Sequence, residues 1–395
     1  MRPLTRDERG HFEALTDMGA VEVGLFEVTS TQLEKSIIDA NFSVRHAFAA
    51  TGFHDYAAQP QGKDGKVLAD LMLLTAGGLA DTKISLYRPN TKAGDPRLWI
   101  YELEGLSPET IPGDLVAIAQ DGDTCAAVNL SELSRAGTGL GSVEALFVHG
   151  SSAPSGIAIE LLAELRRIAA TGPVITNKRG DTAVGYAIET ALGIPANSSR
   201  APDYQGIEIK SGRSLDGNKN KTLFAKMFDK KRSPVGSYAG LLYQCGYLKD
   251  DGLKYLQCSV DGKAPNPQGL ALSVDYESGF LNEHWKGPHG TELVAQWELS
   301  ELTRALATKH SETFWVEAGE VQTAEGMGFA LTKVLHTSSP RLSALSLFLS
   351  DGTVFVDHTI REKSVGGTRD HGMLFRTKAA NLPRLFRVEG EYSLS

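Results

Sequence analysis

Pro202-Asp203-Tyr204-Gln205-Gly206-Ile207-Glu208-Ile209-Lys210 holds the residue types from which a phosphodiester-hydrolysing centre can be built. In an extended strand alternate side chains share a face, so Glu208 and Lys210 project together while Ile207 and Ile209 enter a core. Asp203 lies five residues ahead of Glu208, and Gly206 can bend the chain between them. A sharp bend brings both carboxylates to one point. Two carboxylates and a backbone carbonyl form a hard oxygen site suited to Mg²⁺. A lysine beside them can orient or deprotonate a water, while a metal offsets the charge that develops on a phosphate. The letters alone are degenerate, and an exposed strand bearing a Glu and a Lys is their default reading. The chemical reading draws on the surroundings: a helix bearing a Glu before the motif, a basic cluster at its edge, and apolar residues at the alternate positions.

Glu189 precedes Asp203 near the end of that helix. It reads either as a further metal-site or supporting acid or as an exposed helix glutamate. The basic cluster runs from Lys210 to Arg232, with 8 basic residues against Asp216 and Asp229, and a second cluster from Arg361 to Arg387 has 7 basic and 2 acidic residues. Such segments can neutralise phosphates, and solvated surface loops are the alternative. Residues 1–150, by contrast, carry 12 basic and 21 acidic side chains, so nonspecific DNA contact is not expected of them.

The elements that must position these residues are legible in outline. Helices are expected over Ile157–Ala170, from Asp181 as N-cap to a stop at Gly193, over Pro234–Leu248 and over Glu298–His310. Strands are expected at Gly206–Lys210, Phe314–Ala318, Ala330–His336 and Thr353–Thr359, with Leu253–Val260 and Gly269–Tyr276 as an antiparallel pair. Before them, His11–Gly19 reads as a helix and Glu22–Thr29, Thr82–Tyr87 and Leu98–Tyr101 as strands. Asp114–Ala119 and Thr124–Leu130 make a hairpin about Asp121-Gly122-Asp123. Glycine-rich breaks at 136–142 and 150–156 set a boundary near residue 150. An α/β (α+β) protein is expected: an N-terminal α+β module over 1–150, then 151–395 with a mixed sheet flanked by helices.

A length of 395 residues favours two domains, and 41% hydrophobic content excludes a disordered or collagen-like chain. The longest apolar stretch, Leu68–Ala80, is short and broken by Asp70, which argues against a transmembrane helix. Met1–Gly10 is charged and lacks an apolar core segment, and Cys125, Cys245 and Cys258 are scattered, so a reduced, cytoplasmic protein is expected. Gly137-x-Gly139-x-Gly141 reads as linker, His284 and His289 around Trp285 as a loop with no real metal claim, and Trp297, Phe314 and Trp315 as core. Gly150-Ser-Ser-Ala-Pro lacks the second glycine of a nucleophile elbow.

Asp203-x4-Glu208-x-Lys210 resembles the active site of the PD-(D/E)xK nuclease superfamily. The surroundings resemble more closely the MvaI/BcnI family of type II restriction endonucleases. They comprise Gly185-x3-Glu189-x2-Leu192-Gly193-Ile194-x2-Asn197, Pro202–Ser211, Lys221-Thr222-Leu223-Phe224 and Arg369-Asp370-His371-Gly372-x2-Phe375-Arg376. The resemblance covers roughly 155–395; Thr91-Lys92-x-Gly94-Asp95-Pro96-Arg97 is only vaguely similar to the extra region of longer members. It implies a restriction-endonuclease-like fold, Mg²⁺-dependent cleavage of double-stranded DNA at a short sequence by a monomer, and defence against foreign DNA such as phage. It also implies that Asp203, Glu208 and the Ile209 carbonyl ligate the metal, that Lys210 serves the attacking water, and that Glu189 matches the helix acid of a mismatch-repair relative.

For DNA contact the expected residues are Lys219, Asn220 and Lys221 after the motif strand, and Arg369, Asp370, His371 and Arg376, whose donors and acceptors suit base edges. His371 reads alternatively as a capped turn histidine. Two rivals are a repair-type or modification-dependent nicking endonuclease, with 1–150 as a possible reader, and a catalytically silent DNA-binding protein on the same fold. The intact Asp/Glu/Lys set argues against the second.

Overall fold

Ala158, Leu161, Leu165 and Ile168 recur at helical spacing and form the buried side of the helix Gly156–Ala170. Ala183, Val184, Ala187 and Ile188 do the same for the helix Ala183–Ala191. Both helices lie on one face of a mixed sheet and share a core with Ile207, Ile209, Phe314, Val316, Phe329 and Val334. The computed structural model describes the chain except for residues 19–21, 92–93, 104–108, 148–154, 181, 196–201, 371 and 395. The expected N-cap Asp181, Lys92, Asn197, His371, and the boundary and Gly150-Ser-Ser-Ala-Pro segment around residue 150 therefore lie outside the described residues.

The site-bearing sheet has the order Phe386–Ser393, Gly326–Pro340, Glu312–Thr323, Glu208–Gly212, with Val174–Ile175 pairing Gly326–Pro340. Glu208–Gly212 runs parallel to Glu312–Thr323 and ends the sheet, so among the described residues one of its sides is a free edge. The other contacts in this sheet are antiparallel, which gives the expected mixed sheet flanked by helices.

From Gly212 the chain crosses to a second sheet, ordered Asn220–Ala225, Leu374–Lys378, Val354–Glu362, Lys254–Val260, Tyr247–Leu248. A three-stranded meander, Leu270–Asp275, Phe280–Gly287 and Gly290–Glu298, leads into the helix Leu299–Lys309. Three expectations are corrected here. Lys254–Val260 pairs with Val354–Glu362, and Leu270–Asp275 pairs with Phe280–Gly287, so the two segments are not partners of each other. The His284–His289 region is not a loop: His284 and Trp285 lie in a strand, His284 Nε2 is 3.0 Å from Ser273 Oγ, and only Pro288 and His289 fall between the two strands. The helix expected over Pro234–Leu248 is confined to Tyr238–Cys245. Trp297, Phe314 and Trp315 are core, as their periodicity requires.

The N-terminal part is built on a seven-stranded sheet spanning Glu22–Asn129, with the hairpin Leu115–Asp121/Thr124–Asn129 closed about Gly122, whose φ is 55°. Val67–Thr75, where no strand was expected, pairs with Gly78–Tyr87. Its first helix, Arg6–Asp17, docks on the rest of the chain through Glu13–Arg384 at 2.6 Å and the ion pairs Arg9–Asp351 and Asp17–Arg341. Phe42 N donates to Tyr276 O at 2.8 Å, and Val23 N to Ser343 Oγ at 3.1 Å. Phe12, Leu15 and Val23 share one apolar cluster with Phe348 and Phe386, so the parts pack as well as pair. Among the described residues no helix is long and apolar enough to cross a membrane.

Glu8 shows how a buried charge is retained in this module. It is 2% exposed; burial works to raise its pKa, and hydrogen bonds from Arg2, Ser131 and the Thr5 backbone more than offset that, holding it at about 2. A carboxylate with a depressed folded pKa contributes stability above its unfolded value and loses it as pH falls through the folded one. Glu8→Gln is expected to lower stability at pH 7 by about 2 kcal/mol, and the deficit is expected to shrink toward pH 2. Denaturant melts at both pH values check this, and equal stability at pH 7 contradicts it.

Candidate active site

The geometry begins with a tight turn. Tyr204 N donates to Ile207 O at 2.9 Å and Ile207 N to Tyr204 O at 2.8 Å. Between them Gln205 and Gly206 have φ of 46° and 97°. Two consecutive positive φ values suit a two-residue hairpin turn, and glycine bears this without strain. The reversal lays Asp203 along the free edge of Glu208–Gly212, where Asp203 Oδ2 accepts from Ile209 N at 3.2 Å. In an extended strand the N–H and C=O of one residue leave on the same side, so the Ile209 carbonyl faces that edge too.

Glu208 has no exposed side-chain surface. Its Oε1 lies 2.5 Å from Lys210 Nζ and its Oε2 lies 2.8 Å from Lys309 Nζ. Burial raises the Glu208 pKa, Lys210 and Lys309 pull it down, and the nearby Asp203 adds to the rise. Glu189 stands on the helix beside the strand, with its Oε1 near Gly185, against which Ser211 also packs. Its pKa is raised first by burial and then by Asp203, against the attraction of Lys210, Lys178 and Lys309. The structure therefore brings Glu189, Asp203, Glu208 and Lys210 to one place.

Lys309, absent from the sequence-derived set, joins them. It is the last residue of the helix Leu299–Lys309, where a cation also suits the negative end of the helix dipole. The amphipathic helix was legible; that its end meets Glu208 was not, because nothing local to either segment encodes a contact between them. His310, fully buried, fixes this end. A carbonyl only accepts, so His310 Nε2 donates to Leu223 O at 2.7 Å and Nδ1 accepts from Thr313 Oγ1 at 2.9 Å. Burial pushes its pKa down to about 3, so it is neutral, and it stacks on Trp315 with centroids 5.4 Å apart. Thr313 is the residue paired with Glu208 across the sheet.

Lys210 and Lys309 line one end of a cleft of about 1100 Å³ that runs between the helix Leu299–Lys309 and the edge strand Asn220–Ala225. Thr222 lines it as well and accepts at Oγ1 from Arg376 Nε at 3.0 Å; Arg376 also donates to Asp357 at 2.7 Å. Lys219, Asn220 and Arg369 are exposed. Asp370 accepts from Gly372 N at 3.0 Å, and burial together with the Asp370 carboxylate pushes the Tyr238 hydroxyl up to about 12. Lys221 is 8% exposed and donates to Ser214 O at 2.7 Å; the structure gives it an internal partner and turns it away from any ligand in the cleft.

Among the described residues no three Asp, Glu, His or Cys side chains stand close enough to hold a metal ion as they are. Asp203 and Glu208 with the Ile209 carbonyl nonetheless fit a small divalent cation. Mg²⁺ is commonly held by one or two carboxylates and keeps several waters, and these are hard oxygen donors, Asp203 along the strand edge and Glu208 buried beside it.

The sequence model of the MvaI/BcnI restriction endonuclease family matches residues 162–386. No curated protein matches the chain. Among solved structures, the complex of restriction endonuclease MvaI with its cognate DNA substrate is similar at TM-score 0.54 and 20% identity, covering 62% of this chain and 100% of that one. MvaI in the absence of DNA matches at TM-score 0.39 and 19% identity, with the same coverage. The first likeness shows the fold.

Because the Glu189 pKa is raised on balance, its ionised form is disfavoured where it stands. Glu189→Gln, which removes that charge and keeps the shape, is expected to raise stability by about 1 kcal/mol, or about 2 °C in Tm. Calorimetric melting at pH 7 checks it; an unchanged or lower Tm contradicts the electrostatic reading.

Proposed function

Because the chain belongs to the MvaI/BcnI restriction endonuclease family, and is thus a DNA-cleaving restriction enzyme, we propose that it cuts double-stranded DNA at a specific short sequence with Mg²⁺ as cofactor. The observation that carries this reading is the meeting of Asp203, Glu208 and Lys210 on one edge strand, with Lys210 lining a cleft. Asp203, Glu208 and the Ile209 carbonyl would hold the ion. When bound, Mg²⁺ supplies Lewis-acid neutralisation of the phosphate and of the oxygen that attacks it.

Lys210 bears on the water from the Glu208 side. Its partial exposure leaves the ammonium accessible, and Glu208 fixes its direction. Glu189 adds a carboxylate near enough to Asp203 to feel its charge, and it can accept a hydrogen bond from a water. Lys219, Asn220, Arg369 and Arg376 form a contact set for DNA on or next to the second sheet, with Asp370 holding a turn beside it. Thr222 joins that sheet to the cleft, which supports a duplex path from the cut site across the sheet. MvaI, whose fold this chain shares, was captured with its cognate DNA substrate. The enzyme acts as a monomer in defence against foreign DNA, with 151–395 as the nuclease domain and 1–150 as an accessory module.

Purified protein is expected to cut unmethylated plasmid or phage DNA in Mg²⁺ and not in excess chelator. Lys210→Ala is expected to reduce cutting by about 10²–10³-fold or more while DNA binding, followed by gel shift in Ca²⁺, stays within about threefold. Parental cutting rates from Lys210→Ala would overturn the assigned mechanism.

A further inference from the structure

We infer that Lys309 is a second working cation of this nuclease centre, taking the place that a second divalent ion holds in two-metal phosphodiesterases. The inference rests on the function proposed above. Glu208 is a single carboxylate, yet each of its oxygens faces an ammonium group, Lys210 at 2.5 Å and Lys309 at 2.8 Å. One cation is enough to compensate one carboxylate, so the second is surplus to holding Glu208 in place.

Lys309 also opens onto the same cleft as Lys210, with 19% of its side chain exposed, so it can reach a backbone lying there. Glu189, Asp203 and Glu208 gather beside the cleft, and Lys210 and Lys309 are the ammonium groups that face them. In two-metal sites the ions sit roughly 3.5–4 Å apart and share a bridging carboxylate. Here Lys309 stands on Glu208, a carboxylate that would hold an ion, and brings a positive charge of its own.

The placement is built rather than accidental. His310 ties the helix end to Leu223 of the second sheet and to Thr313 of the strand beside Glu208, and its neutral ring adds no competing charge. Lysine is a flexible point charge. It can stay on Glu208 while the cleft is empty and turn toward the phosphate when DNA fills it.

The test uses the full chain with Lys309 replaced by Met, which keeps length and removes charge. Two things are measured: Mn²⁺ binding to the DNA-free protein by electron paramagnetic resonance, and single-turnover cleavage of plasmid DNA in Mg²⁺. Lys309→Met is expected to bind Mn²⁺ about three- to tenfold more tightly, because a competing cation has left Glu208, and to cleave about 10²-fold more slowly. Lys309→Arg, keeping the charge, is expected to recover part of the rate.

A merely structural lysine gives slower cleavage with unchanged or weaker Mn²⁺ binding, and that result overturns the inference. So does cleavage by Lys309→Met at the parental rate. If Lys309→Met fails to fold, Lys309→Gln is read in the same way. Failure of the parent protein itself to cut DNA would instead sink the functional reading beneath it.

Discussion

A carboxylate with no exposed surface, gripped on both oxygens by lysines from different parts of the chain, sets the terms for the rest of the molecule. Leaving a buried carboxylate with no cation costs roughly 3–5 kcal/mol, so Glu208 requires a lysine beside it, and the fold brings two. Lys210 comes from its own strand two residues on. Lys309 requires the helix Leu299–Lys309 to end at this point, and that requires the meander before it and the neutral His310 after it. Asp203 reaches the same edge only because the chain reverses at Gln205-Gly206. Electrostatic preorganisation of this kind is stored in the fold before any substrate or cation arrives.

What could be read in the sequence follows from range. The alternation of Ile207 and Ile209 with Glu208 and Lys210, the bend at Gly206 and the helix stop at Gly193 are local facts, and Gly193 has a φ of 72° as such a stop requires. The helix now seen as Leu299–Lys309 was legible for the same reason, from its period. Its destination was not, because the partner of Lys309 is fixed by how two sheets pack. Strand partners failed likewise. Lys254–Val260 and Leu270–Asp275 are neighbours in the chain, and proximity suggested a pair, but each pairs with another strand. Two strands were hidden around Pro288 and His289, where a glycine- and histidine-rich run looked like loop. Lys221 misled in another way. Composition put it in a basic cluster, while strand alternation turned its side chain inward to Ser214.

The N-terminal module is more firmly attached than its separate sheet suggests. Arg341 is held by Asp17, by the carbonyl of Thr16 at 3.1 Å and by the carbonyls of Pro383 at 2.6 Å and Arg384 at 2.8 Å. Arg384 pairs with Glu13, so two basic groups of the second half meet acids of the first helix. Part of the charge asymmetry between the two halves is thus used in docking them. The helix Leu299–Lys309 stands between this module and the cleft: Thr303 and Ala307 face a groove opposite Phe42 and Tyr56, while Thr308 and Lys309 face the cleft.

The central claim, that Asp203, Glu208 and the Ile209 carbonyl gather one divalent ion beside Lys210, is tested most directly by anomalous diffraction from crystals of the protein soaked in Mn²⁺. One strong peak is expected at the edge of Glu208–Gly212, within coordination distance of both carboxylates and that carbonyl. A peak elsewhere in the cleft, or none at saturating Mn²⁺, would contradict it.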